Sequence, residues 1–318
     1  MAAPAGGAVA APPQLGLPID CRPGLDCYVQ NYVDIDPGPG ARDFTCGPLS
    51  YNGHRGTDIR LFDRSDMRRD TAVLAPAAGV VAAVRDGERD IGIGFDPSNK
   101  GRECGNAVRI AHDDGWQTLL CHLRQGSIRV KRGDAVTAGQ PVGLVGLSGA
   151  TVFPHVHLTV LHGKTVVDPY TGLSETALAC GGGTGGGLWT PAAAEQLAYR
   201  ASGLLGAGFA DHGPNKEELR DGLLHDVTLS ADAPALVFWG KVFGLRDGDV
   251  EQVRIVGPNG GILAETSATA TKNRATAYRY VGKRRPGARW PAGRYVGSYT
   301  LLRGGSAIVH AERELVLP

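Results

Sequence analysis

The sequence predicts a mainly β protein, and three observations predict it. Glycine is abundant, at 47 of 318 residues, while aromatic residues are scarce, a balance that favours strands and turns over long helices. Short apolar, β-branched runs recur, separated by Gly, Asp and Pro, as strands separated by turns do. The glycine-rich run CGGGTGGG at 180–187 divides these runs into two groups and reads as a flexible linker. The length suffices for two domains with separate cores.

Residues 1–45 are rich in Pro and Gly with few periodic runs, and are expected to form an extended lead-in. Residues 46–178 form the first β domain. Its strand-like runs are DIRLF (58–62), TAVLAPAAGVVAAV (71–84), NAVRIAH (106–112), QTLLCHL (117–123), QPVGLVG (140–146) and HVHLTVLH (155–162). Residues 179–221 hold the linker and a helix in TPAAAEQLAYRASGLL (190–205), with Thr190 as N-cap, Pro191 at the first helical position and helix formers behind. Residues 222–318 alternate again, through DVTLSA (226–231), ALVFWGKVFG (235–244), VEQVRIVGP (250–258), RYVGSYTLLR (294–303) and AERELVLP (311–318). Short strands with turn signals over this length predict a small antiparallel β-sandwich.

The 33 basic and 32 acidic residues give no bulk attraction to nucleic acid or anionic membrane. No stretch approaches the roughly 20 apolar residues of a membrane-spanning helix. The six cysteines, at 21, 27, 46, 104, 121 and 180, lack paired CxxC spacing, which argues against a zinc ribbon. Their even number fits disulfides in an oxidising compartment. Cys104 and Cys121 bracket two strand-like runs around an Asp-Asp-Gly turn and are expected to face each other across a hairpin. Sequence does not rank the other pairings, and it leaves oligomeric state open. MAAPAGGAVAAPP has no basic n-region and is not an intact signal peptide. Export is still expected from the cysteines, with the signal removed in processing, so the location is periplasmic or secreted.

The chemistry lies in histidines. His155-Val156-His157 sits in an apolar segment, and a strand would aim both imidazoles at one spot. His54 and Asp58 lie in YNGHRGTDIR, where Gly53 and Gly56 argue for a turn into a strand over a helix. Histidine nitrogen with carboxylate oxygen is a donor mix that zinc accepts. There is no His-Glu-x-x-His segment, so a helical zinc protease's glutamate base is absent. If His54, Asp58 and one histidine of the HxH pair bind zinc, His122 and the other are left for acid–base work.

These motifs resemble the lysostaphin/LytM-type zinc metallopeptidases, peptidase family M23, which cleave peptide bonds in peptidoglycan. The family pattern is His-x-x-x-Asp, a later His before Leu or Met, then Gly-rich strands and a His-x-His. This sequence supplies His54 and Asp58, Cys121-His122-Leu123, and His155-Val156-His157 in that order. VLAPAAGVVAAV, VKRGDAVTAGQPVGLVGLSGATVFPHVHLTV and VVDPY match the family's other segments, over about residues 50–170. The resemblance implies an antiparallel β-sheet with a groove, Zn2+ bound by His54, Asp58 and His157, His122 and His155 as the catalytic pair, and peptidoglycan as the partner. It departs from the common His-Leu-His-Phe-Glu in having Thr159 as its last residue. The family also contains non-catalytic activators of other wall enzymes, so a wall-binding or activating protein with a structural metal is the alternative.

Several other residues have plainer expectations. Ser148 lacks a nucleophile-elbow frame and reads as a turn residue near the groove. His112, His162, His212, His225 and His310 read as surface residues, and Lys283, Arg284 and Arg285 as a solvated basic loop. Asn31, Asp34 and Asp36 precede the first motif and are either loop residues or an upstream cap on the metal.

Overall fold

Apolar runs between glycine and aspartate turns fold as antiparallel ladders throughout the computed structural model, which describes residues 11–92, 94, 96–177, 187–225 and 227–318. The chain divides into two units, Met1–Leu61 with Arg69–Ala198 and Phe62–Arg68 with Tyr199–Pro318. The first unit carries β1 (Cys27–Asn31), β2 (Thr57–Leu61), β3 (Ala72–Leu74), β4 (Gly79–Arg85), β5 (Asn106–Ala111), β6 (Trp116–Leu123), β7 (Ala135–Val136), β8 (Pro141–Leu144), β9 (His155–His162) and β10 (Thr165–Val166). Its main sheet has the order β1-β2-β9-β6-β5-β4-β7, with β10 added to β9, while β3 and β8 pair separately. The central strand β9 alternates: Val156, Leu158 and Val160 are wholly or almost wholly buried on one face, and His155, His157 and Thr159 lie on the other.

The segment expected to be an extended lead-in therefore supplies an edge strand. CYVQN is short and follows a Pro- and Gly-rich stretch, so it gives little periodic signal, yet all five of its residues are buried. Cys104 and Cys121 are disulfide-bonded with Cα atoms 4.9 Å apart, as the hairpin predicts, and Cys21 bonds Cys27. Cys46 is also disulfide-bonded, and Cys180 lies outside the described residues.

The Thr190 cap forms, its side chain accepting from the Ala193 amide, but helix α1 covers only Pro191–Gln196. The rest of the expected helix turns into β11 (Gly203–Ala210), because Gly203 and Leu204 pair with β12 (Ala235–Leu245) instead. The second unit continues with α2 (Lys216–Asp221), which precedes β12, then β13 (Val250–Val256), β14 (Ile262–Thr269), β15 (Arg274–Arg284), β16 (Gly293–Arg303) and β17 (Ser306–Leu317). Sheets β11-β12-β15 and β14-β13-β16-β17 enclose Phe238, Val242, Ile255, Tyr295 and Tyr299, a sandwich core as predicted. DVTLSA does not form its expected strand: Val227 and Leu229 pack into that core without ladder partners, and Asp226 lies outside the described residues. His225 is more than a surface residue, since its Nε2 lies 2.5 Å from the buried carboxylate of Asp63, which Lys241 also contacts.

One buried carboxylate in the first unit is poorly satisfied. Asp168 is inaccessible to solvent, one oxygen accepts the Tyr170 amide at 2.6 Å, and the other has no partner. Burial, with the charge of Asp43, pushes its pKa up to about 6. The folded value thus exceeds the unfolded one, so stability is full below about pH 4 and is lost as pH rises through 6, by about 3 kcal/mol. Asp168→Asn should flatten that loss, raising the melting temperature at pH 8 but not at pH 4. Parallel melting curves for the two proteins across this range would contradict the assignment.

Candidate active site

Strand register delivers one line of side chains across the main sheet. Asn31 pairs with Asp58, Asp58 with His157, and His157 with Cys121. Directly opposed residues share a face, so four strands put these groups on one side. Two residues back along β9, His155 lies on the same face, opposite Arg60. His54 enters from the turn before β2, which is not helical. Asp34 braces that turn, its amide donating to the His54 carbonyl at 2.8 Å and its carboxylate accepting the Gly53 amide at 2.9 Å. Gly56 must stay without a side chain, because a Cβ there would lie 2.5 Å from His157 Nε2 and 2.6 Å from the Leu158 carbonyl oxygen.

His54 Nε2, Asp58 Oδ1 and His157 Nδ1 form a small triangle with sides of 3.1, 2.7 and 3.2 Å. Tetrahedral ligands about 2.0–2.1 Å from one zinc ion lie roughly 3.3 Å apart, so the triangle is of metal-binding size. The far atom of each group is already engaged. His54 Nδ1 donates to the Tyr32 carbonyl at 2.7 Å, Asn31 Nδ2 donates to Asp58 Oδ2 at 2.8 Å, and His157 Nε2 lies 3.0 Å from the Thr159 hydroxyl. Such outer partners fix the tautomer and leave the inner atoms free for an ion. Two imidazole nitrogens and one carboxylate oxygen therefore fit a zinc ion.

His122 and His155 stand beside this triangle with ring centroids 4.5 Å apart. Each spends its Nδ1 on a backbone carbonyl, His122 on Ser148 at 2.8 Å and His155 on Phe153 at 3.0 Å. Nε2 of His122 is then its proton-accepting nitrogen, and His155 Nε2 lies 3.4 Å from Asp58 Oδ1. His122 has a φ of 63°, a left-handed conformation uncommon for a residue with a Cβ. That backbone breaks strand alternation, so the consecutive residues Cys121 and His122 both line the groove. The groove has a volume of about 490 Å³ and is walled by Tyr51, Arg55, Leu119, Thr159 and Leu161 in addition to these residues.

Charge is concentrated on Asp58. Burial alone would raise its pKa, but His54, His155 and His157 outweigh that and hold the carboxyl well below its usual range. Burial pulls His54 down, and the Asp58 carboxylate more than offsets it, leaving His54 raised. Burial dominates at His122, helped by repulsion from the other two imidazoles, and holds it well below the ordinary histidine value. His122 is thus neutral at physiological pH.

All five residues singled out in the sequence, His54, Asp58, His122, His155 and His157, converge at this site. Asn31 neither caps the triangle nor belongs to a loop: it lies in β1 and orients Asp58. Ser148 is a buried support, accepting the Asn106 amide and donating to the Leu123 carbonyl through its hydroxyl. Sequence reasoning missed Thr159 as a partner of His157, although its position two residues along the same strand places it on the same face. For Asn31 no spacing signal existed.

Residues 52–169 match the sequence profile described as Peptidase family M23. Over 96 residues the chain is 33% identical to "Cell division protein DipM" of Caulobacter vibrioides, a match covering 30% of this chain and 15% of that protein's length. Among solved structures, a mutant catalytic domain of the prophage-encoded M23 protein EnpA from Enterococcus faecalis is 24% identical with a TM-score of 0.33, covering 50% of this chain and 95% of that one. A zinc-containing peptidase from Vibrio cholerae is 23% identical with a TM-score of 0.28, covering 45% and 39%.

Asn31→Ala would leave Asp58 Oδ2 buried without its donor. Metal affinity, measured by competition with a chelator, should fall about 10- to 100-fold. Unchanged affinity would show that Asn31 does not orient the carboxylate.

Proposed function

Residues 52–169 of this chain are a domain of peptidase family M23, and from that premise we propose that the protein is a zinc endopeptidase cutting peptide bonds in peptidoglycan stem peptides or cross-links. The observation that carries the proposal is the metal-sized triangle of His54, Asp58 and His157 beside the paired imidazoles of His122 and His155. His54 Nε2, Asp58 Oδ1 and His157 Nδ1 would hold the ion. Zinc bound there supplies a Lewis acid for the scissile carbonyl and lowers the pKa of water.

His122 and His155 supply the proton handling. With each Nδ1–H donated to a carbonyl, each Nε2 can take a proton from water and return it to the leaving amine. The low pKa of His122 keeps that nitrogen unprotonated in the resting site. The groove beside His122, with Thr159 and Leu119 in its wall, is where an extended peptide would lie. The disulfides favour a periplasmic or secreted location. No helix among the described residues is long and apolar enough to cross a membrane.

Purified sacculi incubated with zinc-loaded protein should release soluble muropeptides cut at a peptide bond, identified by mass spectrometry. His157→Ala should lose zinc and activity together, whereas His155→Ala should keep zinc and lose turnover. Intact sacculi, where a control hydrolase releases products, would refute the enzyme and favour a binding or activating role with a structural metal.

A further inference from the structure

We propose that the Cys104–Cys121 disulfide is the positioning element for His122, so that its reduction disables proton transfer while sparing the metal ligands. The inference rests on the role given to His122 above.

His122 holds a left-handed backbone that persists only where its surroundings over-determine it. Three restraints meet there. The disulfide fixes Cys121, the residue immediately before it, to Cys104. The Cys104 carbonyl accepts the His122 amide at 2.9 Å. The Ser148 carbonyl accepts Nδ1 of the ring, while the Ser148 hydroxyl accepts the Asn106 amide. Gly105 presses this assembly together: its φ is 61°, and a Cβ there would lie 2.4 Å from Ser148 Oγ. The cross-link thus closes a frame of 104–106, 121–122 and 148 around the imidazole.

Cys121 meets His157 through the β6–β9 ladder, but the side-chain partners of the triangle lie outside the frame. His54, Asp58 and His157 lean on Tyr32, Asn31 and Thr159, so loosening the frame leaves those bonds in place. The bond is also reachable. Cys121 is buried, but Cys104 is half-buried and both cysteines line the groove, so a small thiolate would approach from the Cys104 side. Reduction would proceed by thiol–disulfide exchange with a dithiol. One thiolate attacks a protein sulfur to form a mixed disulfide, the second thiol displaces it, and the dithiol leaves as its own disulfide with two protein thiols formed. The pair therefore makes turnover depend on an oxidising compartment.

The test compares the zinc-loaded full chain as wild type, as Cys104→Ala/Cys121→Ala, and as Cys21→Ala/Cys27→Ala, with wild type also reduced by a dithiol and reoxidised. The 104/121 variant and the reduced wild type should keep zinc and a KM within about twofold, while kcat falls roughly tenfold or more. Reoxidation should restore kcat, and the 21/27 variant should keep it. In 15N-histidine spectra the His122 ring should be a fixed Nδ1–H tautomer in the oxidised protein and an averaged one without the cross-link. Unchanged kcat with unchanged His122 signals would overturn the proposal, as would zinc loss or general unfolding in both cross-link-free forms. Were the wild type to cut no muropeptide, the proposed function would fail, and the ring spectra would still decide this inference.

Discussion

Burying the Asp58 carboxylate is the constraint around which the first unit is arranged. An ionised carboxylate taken out of water costs several kcal/mol unless it is paired and hydrogen-bonded. Asp58 is 2% exposed, and it is met from every side. Asn31 takes one oxygen, while His54, His157 and, at 3.4 Å, His155 surround the other. These partners come from two strands, β1 and β9, and a turn, so the anion is tolerable only when the sheet is fully assembled in this register. A slip of one residue between β2 and β9 would turn His155 and His157 away from Asp58.

The same logic separates the two kinds of histidine. Those of the triangle keep their outer atoms tied and their inner atoms around one point, an arrangement suited to a cation. His122 and His155 have carbonyls on Nδ1 and stand beside the triangle. Burial lowers the basicity of His122, and its irregular backbone turns a side chain that strand alternation would send elsewhere toward its partner. Regular sheet geometry builds the triangle of His54, Asp58 and His157, and a local departure from it brings His122 beside His155. The support for that departure comes from outside β6 and β9, from the Cys104 and Ser148 segments.

How much was legible in the sequence depends on the range of the interaction. Strand periodicity exposed β5, β6, β9, β12, β13 and β16, and it placed His155 and His157 on one face. Glycines around His54 marked a turn. The hairpin spacing marked Cys104 with Cys121. Elements with polar outward faces, such as β14 and β15, carry too little apolar alternation to be read, and β1 is too short. Asn31 as a partner of Asp58 depends on pairing between segments 27 residues apart, which no local pattern encodes. The left-handed φ of His122 is equally silent, since its cause lies in residues 104 and 148. The division of roles between His155 and His157 is what the family resemblance implies, since strand geometry treats the two alike.

The most direct measurement is an anomalous-difference map at the zinc edge from crystals grown with the ion. The account predicts one peak about 2.0–2.2 Å from His54 Nε2, Asp58 Oδ1 and His157 Nδ1, with His122 and His155 outside bonding distance. A peak ligated by His122 or His155, or zinc bound elsewhere with this triangle empty, would contradict it.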